Sequence, residues 1–370
     1  MCLGRLGSLN SLEQLSSQSS WLKENLKGAA PSAETLGRVF GKIDTETLRQ
    51  VNHRLYDRLK RNKALELHSH GLSVVVFDGH ESHATYLRCC DGCLKRTINK
   101  GTDNEKIQYY HRNVTAQLIF QNCRFQLDAE PQLPGEDEVA CAIRLLDRVM
   151  ASYSRAFDVV IADALYARSD FFNSVIMHKK DVVTVLKDER RDLMKDVDGL
   201  FAGKAPTYIF TDKNGTQIEC WDAEDFQSWP QVTKTVRVVR TRETKKLVRR
   251  QLNGEREQPP VSSWTWVTTL SPHRARTQAV VEMGHSRWSI ENEGFNELVN
   301  HWHANHVYRH ETTAILNFWL MTMVAYNLFE AFFLRNLKPA ARRGKTMLYF
   351  ARLILSELYE CLPVAQRVPP

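Results

Sequence analysis

Three acidic residues in this chain occupy places where oxygen ligands for a divalent cation could be gathered. Asp78 closes the β-branched run "LSVVVFDG" (Leu72 to Gly79), and Asp163 closes "FDVVIADAL" (Phe157 to Leu165). Glu291 lies in "RWSIENEGFNELVNHW" (Arg287 to Trp302). A hard cation such as Mg2+ takes carboxylate oxygens and keeps several waters, so a few carboxylates suffice to hold it. Each residue also has a bland reading. An Asp-Gly after an apolar run is commonly a turn, Asp163 can cap a following helix, and Glu291 can be a solvated residue paired with Arg287. In the last segment Trp288, Phe295, Leu298 and Trp302 form one stripe of an α-helix. Arg287 and Glu291 are four apart and share a face beside that stripe, whereas Glu293 and Glu297 point elsewhere. Gly294 costs about 1 kcal/mol relative to Ala in a helix interior, so something is expected to come close to the backbone there. On propensity alone, Gly294→Ala should stabilise the fold by roughly 0.5–1 kcal/mol.

The elements that must carry these residues follow from periodicity. Up to about residue 65 the chain reads as helices, with Leu36, Val39, Phe40 and Ile43 on one face and Asp44 as the cap of the next helix. "LSVVVFDG" is a buried strand that stops at a turn, and "QYYHRNVTAQLIF" (Gln108 to Phe120) supplies one or two more strands. An amphipathic helix through Val139, Ala142, Ile143, Leu146 and Met150 follows "PQLPG". Then come the strand ending at Asp163, a helix over Asp170 to Lys180, and a strand over Asp181 to Asp188. From Thr207 to about Leu270 alternating Thr, Val, Arg and Trp indicate further strands. The expected fold class is α/β: a mixed sheet flanked by helices, with a β-rich insertion before the Glu291 helix and a helical N-terminal region. The expected boundaries are 1–68 for the helical region, 69–190 for the first part of the core and 191–270 for the insertion. The second part of the core, with the Glu helix, takes 271–337, and 338–370 is a tail. Ligand sites in open α/β sheets lie outside the carboxyl ends of strands, where Asp78 and Asp163 are expected, with the helix carboxylate joining them.

Composition narrows the partners. Lys and Arg total 50 against 43 Asp and Glu, a net charge of +7, which suits a polyanion partner without requiring one. The excess is concentrated in Lys234 to Arg256, where Arg237, Arg240, Lys245, Lys246, Arg249 and Arg250 are the candidate DNA contacts. A solvated basic face is the competing reading. The opening "MCLGRLGSLNS" lacks the long apolar core of an export signal, so the eight cysteines are expected to stay reduced. The apolar run Ala314 to Leu334 approaches membrane-spanning length, but Asn317, Asn327 and Glu330 interrupt it, and a buried helix is the expectation.

Taken together, "VVVFDG", "VVIADALYARSDFF" and "HSRWSIENEGFNEL" resemble the three carboxylate motifs of DDE-class transposases of bacterial insertion sequences. That family is built on the RNase H-like, retroviral-integrase fold. The last motif resembles the signature Tyr-x2-Arg-x3-Glu-x6-Lys of one large branch, with Arg287 and Glu291 at its core; that branch also carries a β-rich insertion before the Glu. "PSAETLGRVFGKID" (Pro31 to Asp44) resembles the helical region that precedes the core. Two positions depart from the signature: Gly284 stands at its Tyr and Leu298 at its Lys. In the family both contact transposon-end DNA, so Lys or Arg of the insertion, or His301, His303, His306 or Arg309, would have to substitute.

The resemblance implies metal-dependent phosphodiester cleavage at transposon ends and strand transfer into target DNA, with Asp78, Asp163 and Glu291 as metal ligands and Arg287 beside them. Two Mg2+ ions, which Mn2+ can replace, would serve the attacking and leaving oxygens. It further implies inverted-repeat and target DNA as partners, a homodimer in the synaptic complex, no membrane, and a cytoplasmic, nucleoid-associated bacterial protein. The alternative is a catalytically inactive RNase H-like protein that only binds DNA; a zinc-stabilised interaction protein is a third class. For the latter, His80-x2-His83 and Cys90-x2-Cys93 have plausible zinc spacings, with Cys89 spare and His111 and Cys123 in reserve. The His pair lies almost on top of Asp78, which makes zinc the weaker metal reading.

Overall fold

The computed structural model describes residues 7–26, 31–187, 191–246 and 260–359. It has the expected α/β class, with a mixed sheet flanked by helices, consistent with an RNase H-like fold. Contacts divide the chain into two units that interleave in sequence. One comprises Met1–Glu66, Gly79–Ser152 and Ile290–Pro370; the other comprises Leu67–Asp78 and Tyr153–Ser289. Strand β1, Val74–Thr85, passes from the second unit into the first after Asp78.

In the unit that holds Asp78, the start of β1 lies parallel to β5 (Val159–Ala162), and β5 lies parallel to β6 (Asp181–Val185). Val74 to Phe77 and Val159 to Ala162 are all buried, as strands covered on both faces require. Beyond β6 the sheet turns antiparallel through β10 (Val261–Thr268), β9 (Val236–Thr244), β8 (Gln217–Phe226) and β7 (Tyr208–Thr211). The β-rich stretch is therefore joined to the central strands directly, with Trp266 opposite Val185. The helices here are α6 (Ser169–Met177), α7 (Asp192–Phe201) and α8 (Thr277–Ser286). Helix α7 falls inside the stretch expected to be β-rich. It forms because Leu193, Met194, Val197 and Phe201 make one apolar face, and all four are buried.

The other unit holds α1 (Leu9–Gln18), α2 (Ser20–Leu26), α3 (Ala33–Lys42) and α4 (Thr45–Arg61). Asp44 caps α4 as expected, accepting from the backbone N–H groups of Glu46 and Thr47. The rest of β1, β2 (Leu94–Ile98), β3 (Lys106–Ile119) and β4 (Arg124–Pro131) follow, then α5 (Glu138–Tyr153). After a π-helical segment, Ile290–Phe295, come α9 (Asn296–Trp302), α10 (Thr312–Arg335), α11 (Pro339–Arg342) and α12 (Met347–Tyr359). Helix α10 is long and apolar enough to cross a membrane, yet most of it is buried inside the unit. Its asparagines explain why. Asn317 donates to the carbonyls of Phe40 and Ile43, and Asn327 donates to Asn52 and to the carbonyl of Gln126. Buried amides with partners on α3, α4 and β4 make α10 a core helix.

Candidate active site

The expected turn at Asp78-Gly79 does not form; β1 runs on to Thr85. The glycine is there for a different reason. A Cβ on Gly79 would lie 2.4 Å from the Glu138 side chain, which ion-pairs with Arg112 at 2.9 Å. Asp78 thus sits within a strand, at the point where its buried run becomes half-buried.

Asp163 combines both of its sequence readings. It follows β5 directly with an extended backbone, and its side chain accepts the N–H of Leu165 at 2.8 Å to cap the 3-10 turn Ala164–Tyr166. The pairing of β1 with β5 relates the two acids. Val74, Val75 and Val76 lie opposite Val159, Val160 and Ile161. Continued two residues, this register puts Asp163 level with Asp78. Same-level residues of parallel neighbours, with strands about 4.8 Å apart, present their side chains to the same face. Both acids are only half-buried, so a solvated cation can reach them.

Arg287 belongs to this pair. Its Nη1 lies 3.5 Å from Asp78 Oδ2, and each side chain is 16% exposed. Arg287 ends α8, whose seat is set by Gly284: a Cβ there would lie 2.2 Å from the indole Nε1 of buried Trp266 on β10. That close packing leaves no room for a side chain at Gly284. Next to it His285 Nε2 donates to a Glu243 carboxylate oxygen at 2.7 Å, and the ring packs edge-on to Trp264 and Trp266.

Glu291 is described within the other unit. The regular helix expected from Arg287 to Trp302 is interrupted by the π-helical segment Ile290–Phe295, whose i→i+5 bonds widen the turn. Such widened turns are frequent at functional sites. Glu291 is exposed and, among the described residues, has no hydrogen-bond or ion-pair partner. Its two neighbours are engaged: Glu293 pairs with Arg124 at 2.8 Å, and Glu297 accepts from Trp302 at 3.3 Å and lies 3.7 Å from His301. Ile290, Phe295, Leu298 and Trp302 form the buried stripe, whereas Trp288 is exposed. Leu298, at the signature's lysine position, is a core residue.

Gly294 answers the expected close approach. A Cβ on it would lie 2.3 Å from Oε1 of Gln117 on β3, so the neighbour is a strand of the fold. His80 stacks on Phe295 and Trp319, with ring centroids 4.7 and 5.5 Å away, and its Nε2 meets Asn305 at 3.0 Å. Those partners make His80 part of the packing that holds the π segment.

The basic stretch divides. Arg237 is 3% exposed; it makes a fork with Asp222 and donates to the carbonyl of Ala275 at 2.6 Å. Arg240 pairs with Asp198 at 2.5 Å on α7. Arg242, Lys245 and Lys246 are exposed. Arg249 and Arg250 lie outside the described residues.

A family model described as "Transposase DDE domain" matches residues 69–328 of the chain. No curated protein matches it at a significant level.

Proposed function

Because the chain belongs to the DDE transposase family, we propose that it cuts the DNA backbone at the ends of its own element and joins those ends to a target. The observation that supports the reading is the parallel pairing of β1 with β5, Val76 opposite Ile161, which, continued two residues, brings Asp78 within β1 level with Asp163 just after β5. Glu291 is the proposed third carboxylate, on its motif and on an exposed side chain that has no partner among the described residues.

The donor set suits Mg2+, with Mn2+ as a substitute, because it is all carboxylate oxygen and leaves room for water. When bound, a pair of such ions activates the attacking oxygen and stabilises the leaving one. Arg287, with Nη1 3.5 Å from Asp78 Oδ2, holds that carboxylate in place from the end of α8. The Leu165 N–H fixes one Asp163 oxygen, leaving the second for a ligand. Inverted-repeat DNA at the element's ends and target DNA are the proposed substrates, with two chains pairing on two ends.

The test is to incubate the protein with DNA flanking its own gene, with and without Mg2+. Metal-dependent nicks at the element's ends are expected. Salt-steep binding without any nicking would leave a DNA-binding module that has lost catalysis and would overturn the reading.

The exposed cations Arg242, Lys245 and Lys246 are proposed to track the phosphates; the buried Arg237 is left out of that set. Replacing the three by Gln should flatten the dependence of log affinity on log salt by about 0.9 for each phosphate that is no longer neutralised. A slope identical to that of the unaltered protein would reduce this stretch to a solvated strand end.

A further inference from the structure

Four side chains from three separate segments meet at one point in the unit that contains the helical N-terminal region. Cys90 and Cys93 flank a turn just before β2, His111 lies on β3, and His310 lies in the loop that enters α10. Their ligand atoms all fall within 4.8 Å of one another. We propose that Cys90, Cys93, His111 and His310 hold a structural Zn2+, a metal separate from the divalent ions of strand cleavage.

The distances carry the proposal. Zinc binds sulfur at about 2.3 Å and imidazole nitrogen at about 2.0–2.1 Å, so a tetrahedral ion separates two sulfurs by about 3.8 Å and a sulfur from a nitrogen by about 3.5 Å. Here the two sulfurs are 3.8 Å apart. His111 Nε2 is 3.4 Å from Cys90 Sγ and 3.3 Å from Cys93 Sγ, and His310 Nε2 is 3.2 Å from Cys93 Sγ. Two thiols and two imidazoles in a tetrahedron select zinc over Mg2+, which prefers oxygen. All four positions are filled by protein, the pattern of a structural site with no place for substrate.

The surrounding backbone is built for the cluster. The Cys93 N–H donates to the Cys90 carbonyl at 3.0 Å and the Cys90 N–H donates to Cys93 Sγ at 3.3 Å, which close the turn. Gly92, between the cysteines, lets that turn press on α10: a Cβ there would lie 2.3 Å from Thr312 Oγ1. Cys93 and His111 are buried, at 3% and 4% exposure, so the cluster is an interior one. The ion would tie the turn before β2 and strand β3 to the loop between α9 and α10, three segments far apart in sequence.

The ligand set differs from the one the sequence suggests. His80 is committed to Phe295, Trp319 and Asn305, and Cys123 is absent from the cluster. His83 touches the ring of His310 edge-on at 5.6 Å without joining the cluster. His310 has no zinc-like spacing to the cysteines and is found only through the fold.

The test is metal analysis of the full chain purified under reducing conditions without chelator. About one Zn2+ per chain is expected, falling below about a tenth in Cys93→Ser, with Cys89→Ser and His83→Ala unchanged. Because Cys93→Ser can fail to fold, His310→Gln is read by cobalt substitution. The unaltered protein should show tetrahedral Co2+ bands with thiolate charge transfer, and His310→Gln should shift them. Zinc-free protein that stays zinc-free after reconstitution would overturn the proposal. So would a Cys90–Cys93 disulfide that forms in the presence of zinc, or cobalt bands that His310→Gln leaves in place.

Discussion

Asp78→Asn, Asp163→Asn and Glu291→Gln are each expected to abolish metal-dependent cleavage while leaving DNA affinity largely intact. Removing one carboxylate from the proposed cation site would remove the stabilisation of the reacting oxygens, whereas affinity would come mainly from phosphate contacts elsewhere. The substitutions suit the local structure. Asn at 163 keeps an oxygen that can accept the Leu165 N–H, so the 3-10 turn is preserved. Asn at 78 keeps one acceptor oxygen for Arg287 while removing the charge and one carboxylate oxygen. Glu291 is exposed and, among the described residues, unpartnered, so Gln there disturbs no packing. Glu293→Gln and Glu297→Gln serve as controls, since those carboxylates serve Arg124, His301 and Trp302, and cleavage should persist. Nicking of supercoiled plasmid carrying the element's ends, read beside a gel-shift titration, checks the set. Near-normal cleavage by any one of the three variants would remove that residue from the proposed ligands.

What is legible in the sequence is what depends on local pattern. Val74 to Phe77 and Val159 to Ala162 are short, unbroken apolar runs, the mark of strands buried on both faces, and each leads to its carboxylate. That pattern locates Asp78 and Asp163 without any knowledge of pairing. The register that sets them level depends on how two distant segments align, and periodicity carries no information about it. The same limit explains Gly79. Asp-Gly is a turn signal locally, but the glycine accommodates Glu138, which is distant in sequence. Arg237 reads as a surface cation because its strand alternates; its burial depends on Asp222 from β8. The aspartates and lysine of α7 mask an apolar face until the charged side is seen to be solvated. Glu291 stands out through its Arg287 spacing, yet the π-helical widening between Ile290 and Phe295 has no local signature apart from Gly294.

That glycine gives the second large expected effect. Gly294→Ala should destabilise the unit that contains it by about 1–3 kcal/mol, reversing the gain that helix propensity alone suggests. The reason is the 2.3 Å approach of the added Cβ to Gln117 Oε1. A flexible amide could swing aside in solvent, but Gln117 and Gln126 are both fully buried, and Gln126 Nε2 donates to Gln117 Oε1 at 2.6 Å. The backbone N–H of Gln126 in turn donates to Asn327 on α10 at 2.9 Å. Moving Gln117 therefore disturbs a connected set of buried amides, and an unpaired buried amide costs about 1–3 kcal/mol. Gly294→Leu should be worse, with no volume available for the larger side chain. Steric pressure and helix propensity can be separated by making room. Gln117→Ser removes most of the obstructing side chain, so Gly294→Ala should cost less in that background than in the unaltered chain, a coupling of about 0.5–3 kcal/mol. Urea denaturation followed by tryptophan fluorescence supplies the midpoints, and cleavage by the same variants shows whether a shifted π segment also misplaces Glu291, which lies in the same segment. A Gly294→Ala protein more stable than its parent would mean that Gln117 does not press on this helix, and steric pressure from β3 would no longer explain the glycine.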